Sequence, residues 1–202
     1  MDQYICSNPP SELYRIQYSQ SHTTFSTETG FKAKDTTTTF GFTDETKFTQ
    51  AIEKHFTWGN RDASPFISLF SNREHAENWG CKEPWNHRGG KGDWALCTIS
   101  TDKLEGMKLF KLSDLVEKLQ VEIPERASQH IHGAYICLYG IPASAIIDKT
   151  SGTDVASDRD SRRESAIDMW DYLGECGDND SHREMMQENY NTIIEKNIEG
   201  GW

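Results

Sequence analysis

The sequence predicts an α+β fold, on three observations. Apolar runs with the two-residue period of strands recur at "ELYRIQYS", "SPFISLF", "WALCTIS" and "AYICLYGIP". Stretches with the three-to-four-residue period of amphipathic helices lie between and after them. The 202 residues, 35% hydrophobic and 11% aromatic, are enough to bury a real core, and they read as a single domain over 1–202.

In "ELYRIQYS", Tyr14, Ile16 and Tyr18 share one face of a strand, and Leu13, Arg15 and Gln17 share the other. The next two dozen residues, "SQSHTTFSTETGFKAKDTTTTFGF", are rich in Ser and Thr, lack a helical period, and read as a loop or edge-strand connection. From Thr43, Phe48, Ile52 and Phe56 recur every fourth residue beside Ala51, with Gly59 as a stop, which predicts a helix from Asp44 to Trp58. Phe66 to Phe70 is short and apolar behind Pro65, as a buried strand would be. Ser71 and Glu74 then fit a capping box for a helix with Ala76 and Trp79 on one face. A glycine-rich turn precedes a strand from Trp94 to Ile99, "LSDLVEKLQ" is a short helix with Ser113 as its cap, and "AYICLYGIP" is a strand ending at Pro142. "ASAIID" extends the sheet, after which "DKTSGTDVASDRD" reads as a polar break. Two C-terminal helices are expected. One opens on a Ser161 and Glu164 capping box and carries Ala166, Ile167, Trp170 and Leu173; the last carries Met186, Tyr190, Ile193, Ile194 and Ile198.

The charge balance narrows the function classes. With 21 basic against 32 acidic residues the formal net charge is −11, which argues against a broad nucleic-acid footprint. No stretch reaches the roughly 18 apolar residues of a membrane span, and "MDQYICSNPP" has no basic or apolar leader segment, so the expectation is a cytoplasmic protein with no membrane partner. Five scattered cysteines without a C-x-x-C pair signal neither zinc nor a disulfide framework, and Cys97 and Cys137 read as buried thiols. "RGGKG" lacks the spacing of a phosphate-cradling loop and "DNDSHRE" that of a calcium loop. His130 and His132 flank Ile131 without a third ligand in sight, so no metal is expected.

Two residues resist a purely structural account. Arg15 points where Leu13 points, so it needs a partner, either a ligand or a buried carboxylate. Ser68 sits inside an apolar strand where no cap or turn explains it.

"LYRIQYS", followed by "SPFISLFSNREHAENWG" and "AYICLYGIPASAII", resembles a fungal family of unassigned function related to the ADP-ribosyltransferase fold. The resemblance covers residues 11–147 and leaves 148–202 as a helical extension. It implies a split, mostly antiparallel two-sheet core with flanking helices. It also implies NAD as substrate, with Arg15 holding a phosphate, Ser68 as the first serine of an S-T-S motif bracing the nicotinamide pocket, and Tyr14 or Phe70 packing on nicotinamide. Ala76 and Trp79 correspond to packing positions of the following helix. The motif departs in reading Ser68, Leu69, Phe70, and the catalytic glutamate expected at the start of the last core strand is replaced by His132, Gly133 and Ala134. Glu122, Glu125 and His132 are the stand-ins the sequence offers for a carboxylate that stabilises the oxocarbenium-like transition state.

Three functions follow as expectations. The first is ADP-ribosyl transfer to a small-molecule or protein acceptor, or NAD hydrolysis. The second is the same fold recruited to another transfer reaction in fungal small-molecule metabolism, such as tRNA-dependent cyclodipeptide synthesis. The third is a non-catalytic domain that binds a ligand or a protein.

Overall fold

The computed structural model describes residues 1–162 except 20, 22, 42–43, 58–59, 61, 83–92 and 129. In chain order the elements are β1 (Glu12–Tyr18), β2 (Thr24–Ser26), β3 (Gly30–Lys32), α1 (Glu45–Phe56), β4 (Phe66–Phe70), α2 (Arg73–Lys82), β5 (Trp94–Ser100), β6 (Leu109–Lys111), α3 (Leu112–Leu119), α4 (Glu125–Ser128), β7 (Ala134–Leu138), β8 (Gly140–Ile141) and β9 (Ile146–Ser151), followed by a helix, α5, whose described part covers 152–162. The strands form two sheets, ordered β6-β7-β4-β1-β5-β9 and β2-β3-β8. Every pairing in them is antiparallel, so the chain is α+β with two antiparallel sheets.

Strand alternation sorts the core into layers. Tyr14 pairs with Phe70 across β1 and β4, which puts Tyr14, Ile16, Tyr18, Phe66, Ser68 and Phe70 on one face of the large sheet. Helices cover that face: Phe48 and Ile52 of α1 pack with Phe66, Phe110 and Ile136, and Ala76 of α2 packs with Ile16, Trp94, Leu96 and Val155. The opposite face presents Leu13, Arg15, Ile67, Leu69, Cys97 and Ile99 to the small sheet, whose Phe31 and Ile141 close the layer between.

Local expectations are settled by specific physical causes. In the Thr-rich stretch the edge-strand alternative holds in part: Thr24–Ser26 and Gly30–Lys32 pair as a hairpin with Phe25 opposite Phe31, β2 at the edge of the small sheet. The run "AYICLYGIP" is two strands in two sheets, split where Tyr139 takes φ 65, a left-handed value rare for a non-glycine residue. Asn72, not Ser71, caps α2, its Oδ1 accepting from the His75 N–H at 2.9 Å, while the Ser71 N–H donates to the Gly133 carbonyl. Ser113 lies inside the first turn of α3, behind Lys111 as the N-cap. The chain after Ile146 is not a break, since β9 extends the large sheet and helix follows at once. Ser161 therefore lies within α5, donating to the Ser157 carbonyl, instead of opening a helix. α1 ends at Phe56, two residues short of the expected Trp58. Glu164 and both expected apolar stripes beyond it lie outside the described residues.

Candidate functional site

Beside Phe25 of the small sheet, strands β1, β5 and β9 of the large sheet border an open groove. Cross-strand register lines up Arg15, Cys97 and Lys149 as one row over β1, β5 and β9, and Gln17, Ala95 and Ser151 as the next. Small residues in the middle strand leave a groove of about 460 Å³, lined by Gln17, Tyr18, Ser19, Phe25, Asp93, Trp94, Ala95, Lys149 and Ser151. A volume of this order suits a small ligand.

Arg15 does not itself line the groove: it is buried in the row before Gln17, level with the groove residue Lys149, and is 7% exposed. Its guanidinium donates to the Ser68 carbonyl at 2.8 Å, to Thr23 Oγ1 at 2.5 Å and to Ser21 Oγ at 3.2 Å, and its Cζ lies 5.1 Å from the centre of the Phe31 ring. All these acceptors are neutral. Among the described residues no carboxylate pairs with Arg15, and its buried Nε donates to nothing. Burial pushes its pKa down to about 10. Two residues on, Gln17 Nε2 donates to the Tyr18 carbonyl while its buried Oε1 has no donor. Beside this row the Lys149 ammonium stands 4.4 Å from the centre of the Phe25 ring, and at the far end Ser19 donates to Asp93 at 2.6 Å. Burial pushes the Cys97 thiol up to about 11, which makes it a small apolar residue of the core beneath and not a nucleophile.

The residues singled out in the sequence fall in three places. Arg15 alone faces the small sheet. Tyr14 and Phe70 are direct neighbours on the helix face, where Tyr14 donates to Glu12 at 2.8 Å and Phe70 lies 6.1 Å from Trp79. Ser68 shares that face, so its hydroxyl is turned away from the groove expected to receive it; it meets Nε2 of His55 on α1 at 2.7 Å, and His55 Nδ1 meets Ser64 at 2.7 Å. Only the Ser68 carbonyl reaches Arg15. Glu122, Glu125 and His132 are exposed at the ends of other elements and none lines the groove. The Glu122 N–H donates to Glu53 of α1, Glu125 opens α4, and His132 belongs to the short helical turn Ile131–Gly133 before β7.

Sequence reasoning missed Gln17, Lys149, Ser21, Thr23 and His55. Gln17 carried a signal, since it shares the strand face of Arg15. The others come from polar segments whose place depends on which strands pair. Among the described residues no three His, Cys, Asp or Glu side chains gather as a metal would need, and no helix is long and apolar enough to cross a membrane.

A family model, Domain of unknown function (DUF7587), matches residues 8–155. No curated protein matches the chain. A solved structure titled EcPltA aligns with 15% identity over 70% of this chain and 75% of its own, with a TM-score of 0.44.

Proposed function

The chain belongs to the DUF7587 family, and we infer that the groove between its sheets binds a phosphate-bearing ligand of the NAD type, with ADP-ribosyl transfer or NAD hydrolysis as the chemistry. One observation carries the binding: among the described residues, Arg15 is a buried cation without an anion. Its depression from 12.5 to about 10 represents on the order of 3 kcal/mol that the folded state carries for holding the charge out of water. A phosphate beside Nε offsets that cost with charge-assisted hydrogen bonds, and the Ser21 and Thr23 hydroxyls now hold the donors such a group would take. Lys149 adds a second positive charge on the same face, Phe25 an aromatic surface and Gln17 Oε1 an acceptor for a ligand hydroxyl or amide.

Breaking the nicotinamide–ribose bond requires a carboxylate near the developing positive charge. Among the residues lining the groove Asp93 is the carboxylate, which makes it the candidate in place of Glu122, Glu125 or His132. Their placement off the groove favours a second reading, a domain that binds the ligand without turnover. The −11 charge favours neither tRNA nor any other polyanion as the partner.

Titrating NAD against the melting temperature, while following nicotinamide release by chromatography, separates these readings. A melting shift with release that Asp93→Asn abolishes supports the enzyme. A shift without release supports the binding domain, and no shift with NAD, ADP-ribose or phosphate overturns both.

A further inference from the structure

On the other side of the large sheet, α2 carries Glu77, a carboxylate with no exposed surface. Arg73 of the same helix donates to it at 2.8 Å, and Arg162 of α5 donates to its other oxygen at 2.7 Å. One turn earlier on α5, Arg159 donates to Asn78 Oδ1 and lies 3.5 Å from Cys81 Sγ. Glu77, Asn78 and Cys81 thus form a face on α2 that receives two guanidinium groups from another helix. Apolar contact backs the polar one: Val155 of α5 is fully buried with Ala76, Ile16 and Leu96. Asp158 holds Arg162 from within α5 at 3.2 Å.

The same helix touches the groove. α5 begins directly after Ser151, a groove residue whose Oγ accepts from the Asp154 N–H at 3.1 Å and so caps the first turn. At the next position a Cβ on Gly152 would stand 2.5 Å from the Trp94 indole, and one on Gly80 of α2 would stand 2.8 Å from the same ring. Trp94, which lines the groove, is therefore clamped between α2 and α5 at two positions where only glycine fits.

We propose that α5 is a latch: Arg159 and Arg162 dock it on the guanidinium-receiving face of α2, and the docked helix fixes Trp94 and Ser151 as the wall of the groove. Ligand binding in the groove is then coupled to docking, and a ligand that needs the formed wall favours the docked state. Arg159 and Arg162 lie beyond residue 155, where the family match ends, so the latch regulates the groove from outside the matched domain. The groove arm of this proposal rests on the phosphate-ligand reading above, while the docking arm does not.

The test is the double substitution Arg159→Ala and Arg162→Ala in the full-length protein, one side chain half-buried and one exposed, with Arg73 still paired to Glu77. Amide hydrogen exchange over 152–162 is expected to speed up about tenfold or more, and affinity for ADP, the probe, to fall about threefold or more, with Arg162→Lys in between. Unchanged exchange overturns the latch. Faster exchange with unchanged ADP affinity overturns its coupling to the groove. If the wild-type protein binds neither ADP nor phosphate, the groove reading fails and the coupling with it, and exchange alone decides whether α5 docks as proposed.

Discussion

Arg15 and Glu77 are the two buried charges among the described residues, on opposite sides of one sheet, and they are satisfied in opposite ways. Glu77 has no exposed surface and meets two arginines, one from its own helix and one from α5. Arg15 meets hydroxyls and a carbonyl and keeps a donor unused. A buried ion whose partners are built into the chain is part of the architecture, because removing a partner strands the charge. A buried ion supplied only with neutral acceptors leaves its countercharge to something else. The first belongs to how the chain holds together, and the second to what it holds.

Arg15→Met is the strongest way to break that contrast. If Arg15 awaits an anion, the substitution abolishes the melting shift produced by ADP-ribose and weakens binding by about 100-fold or more, the loss expected from charge-assisted hydrogen bonds worth about 1.5–3 kcal/mol each. The ligand-free protein should lose little stability, because an apolar side chain of similar length removes a buried charge. Calorimetry with and without ligand reads both effects. A protein much less stable without Arg15 that still binds ADP-ribose as before would place Arg15 with the architecture instead.

Glu77→Gln should do the reverse, lowering stability in urea denaturation by about 1–3 kcal/mol as two charge-assisted bonds become weaker ones. Its direct effect on the ligand should be nil, any change coming through α5. Acidification gives the same comparison without a mutation. Burial alone would raise the Glu77 pKa, but hydrogen bonds from Arg73 and Arg162, with their charges, hold it below the ordinary value of 4.5. A carboxylate depressed on folding contributes stability above its unfolded value and loses it as pH falls through the folded one. Hydrogen exchange over 152–162 should therefore stay constant from pH 7 down to about 5, after correction for the intrinsic rate, and rise below 4.5. The Glu77→Gln protein should lack that rise.

Much of this contrast was legible in the sequence on one side and hidden on the other. Arg15 stood out because a charge interrupted a strand face begun by Leu13. The strands around it were legible because "ELYRIQYS", "SPFISLF" and "WALCTIS" carry their period in apolar residues. Glu77 gave no such signal, since a glutamate one helical turn after Arg73 looks like an exposed pair until α5 covers it. The helix itself was hidden by "DKTSGTDVASDRD", whose apolar contribution is largely Val155. The hairpin β2–β3 was hidden by its brevity, three residues a strand with Ser and Thr among them, and β8 by a backbone reversal at Tyr139 that no pattern announces. Ser68 invited a functional reading because a polar residue in an apolar strand needs a partner. That partner was His55, thirteen residues earlier on a helix, and register alone decided that the hydroxyl turned toward it.

The smallest expected effect sharpens the Arg15 side. Lys149 is an exposed residue on β9, one strand beyond the Cys97 that faces Arg15, with its ammonium over the Phe25 ring. An exposed cation–π contact is worth about 0.5–1 kcal/mol, so Lys149→Gln should change stability by no more than that. If the ligand's phosphate lies between the two cations, the same substitution weakens binding about three- to tenfold at low salt. That difference should narrow near 1 M salt, where the screening length falls to about 3 Å. Arg15→Met should keep its full effect at both salt concentrations, because a buried charge is screened far less. Equal salt dependence in the two variants would mean that the anion reaches only the exposed rim of the groove, and that Arg15 does not hold it.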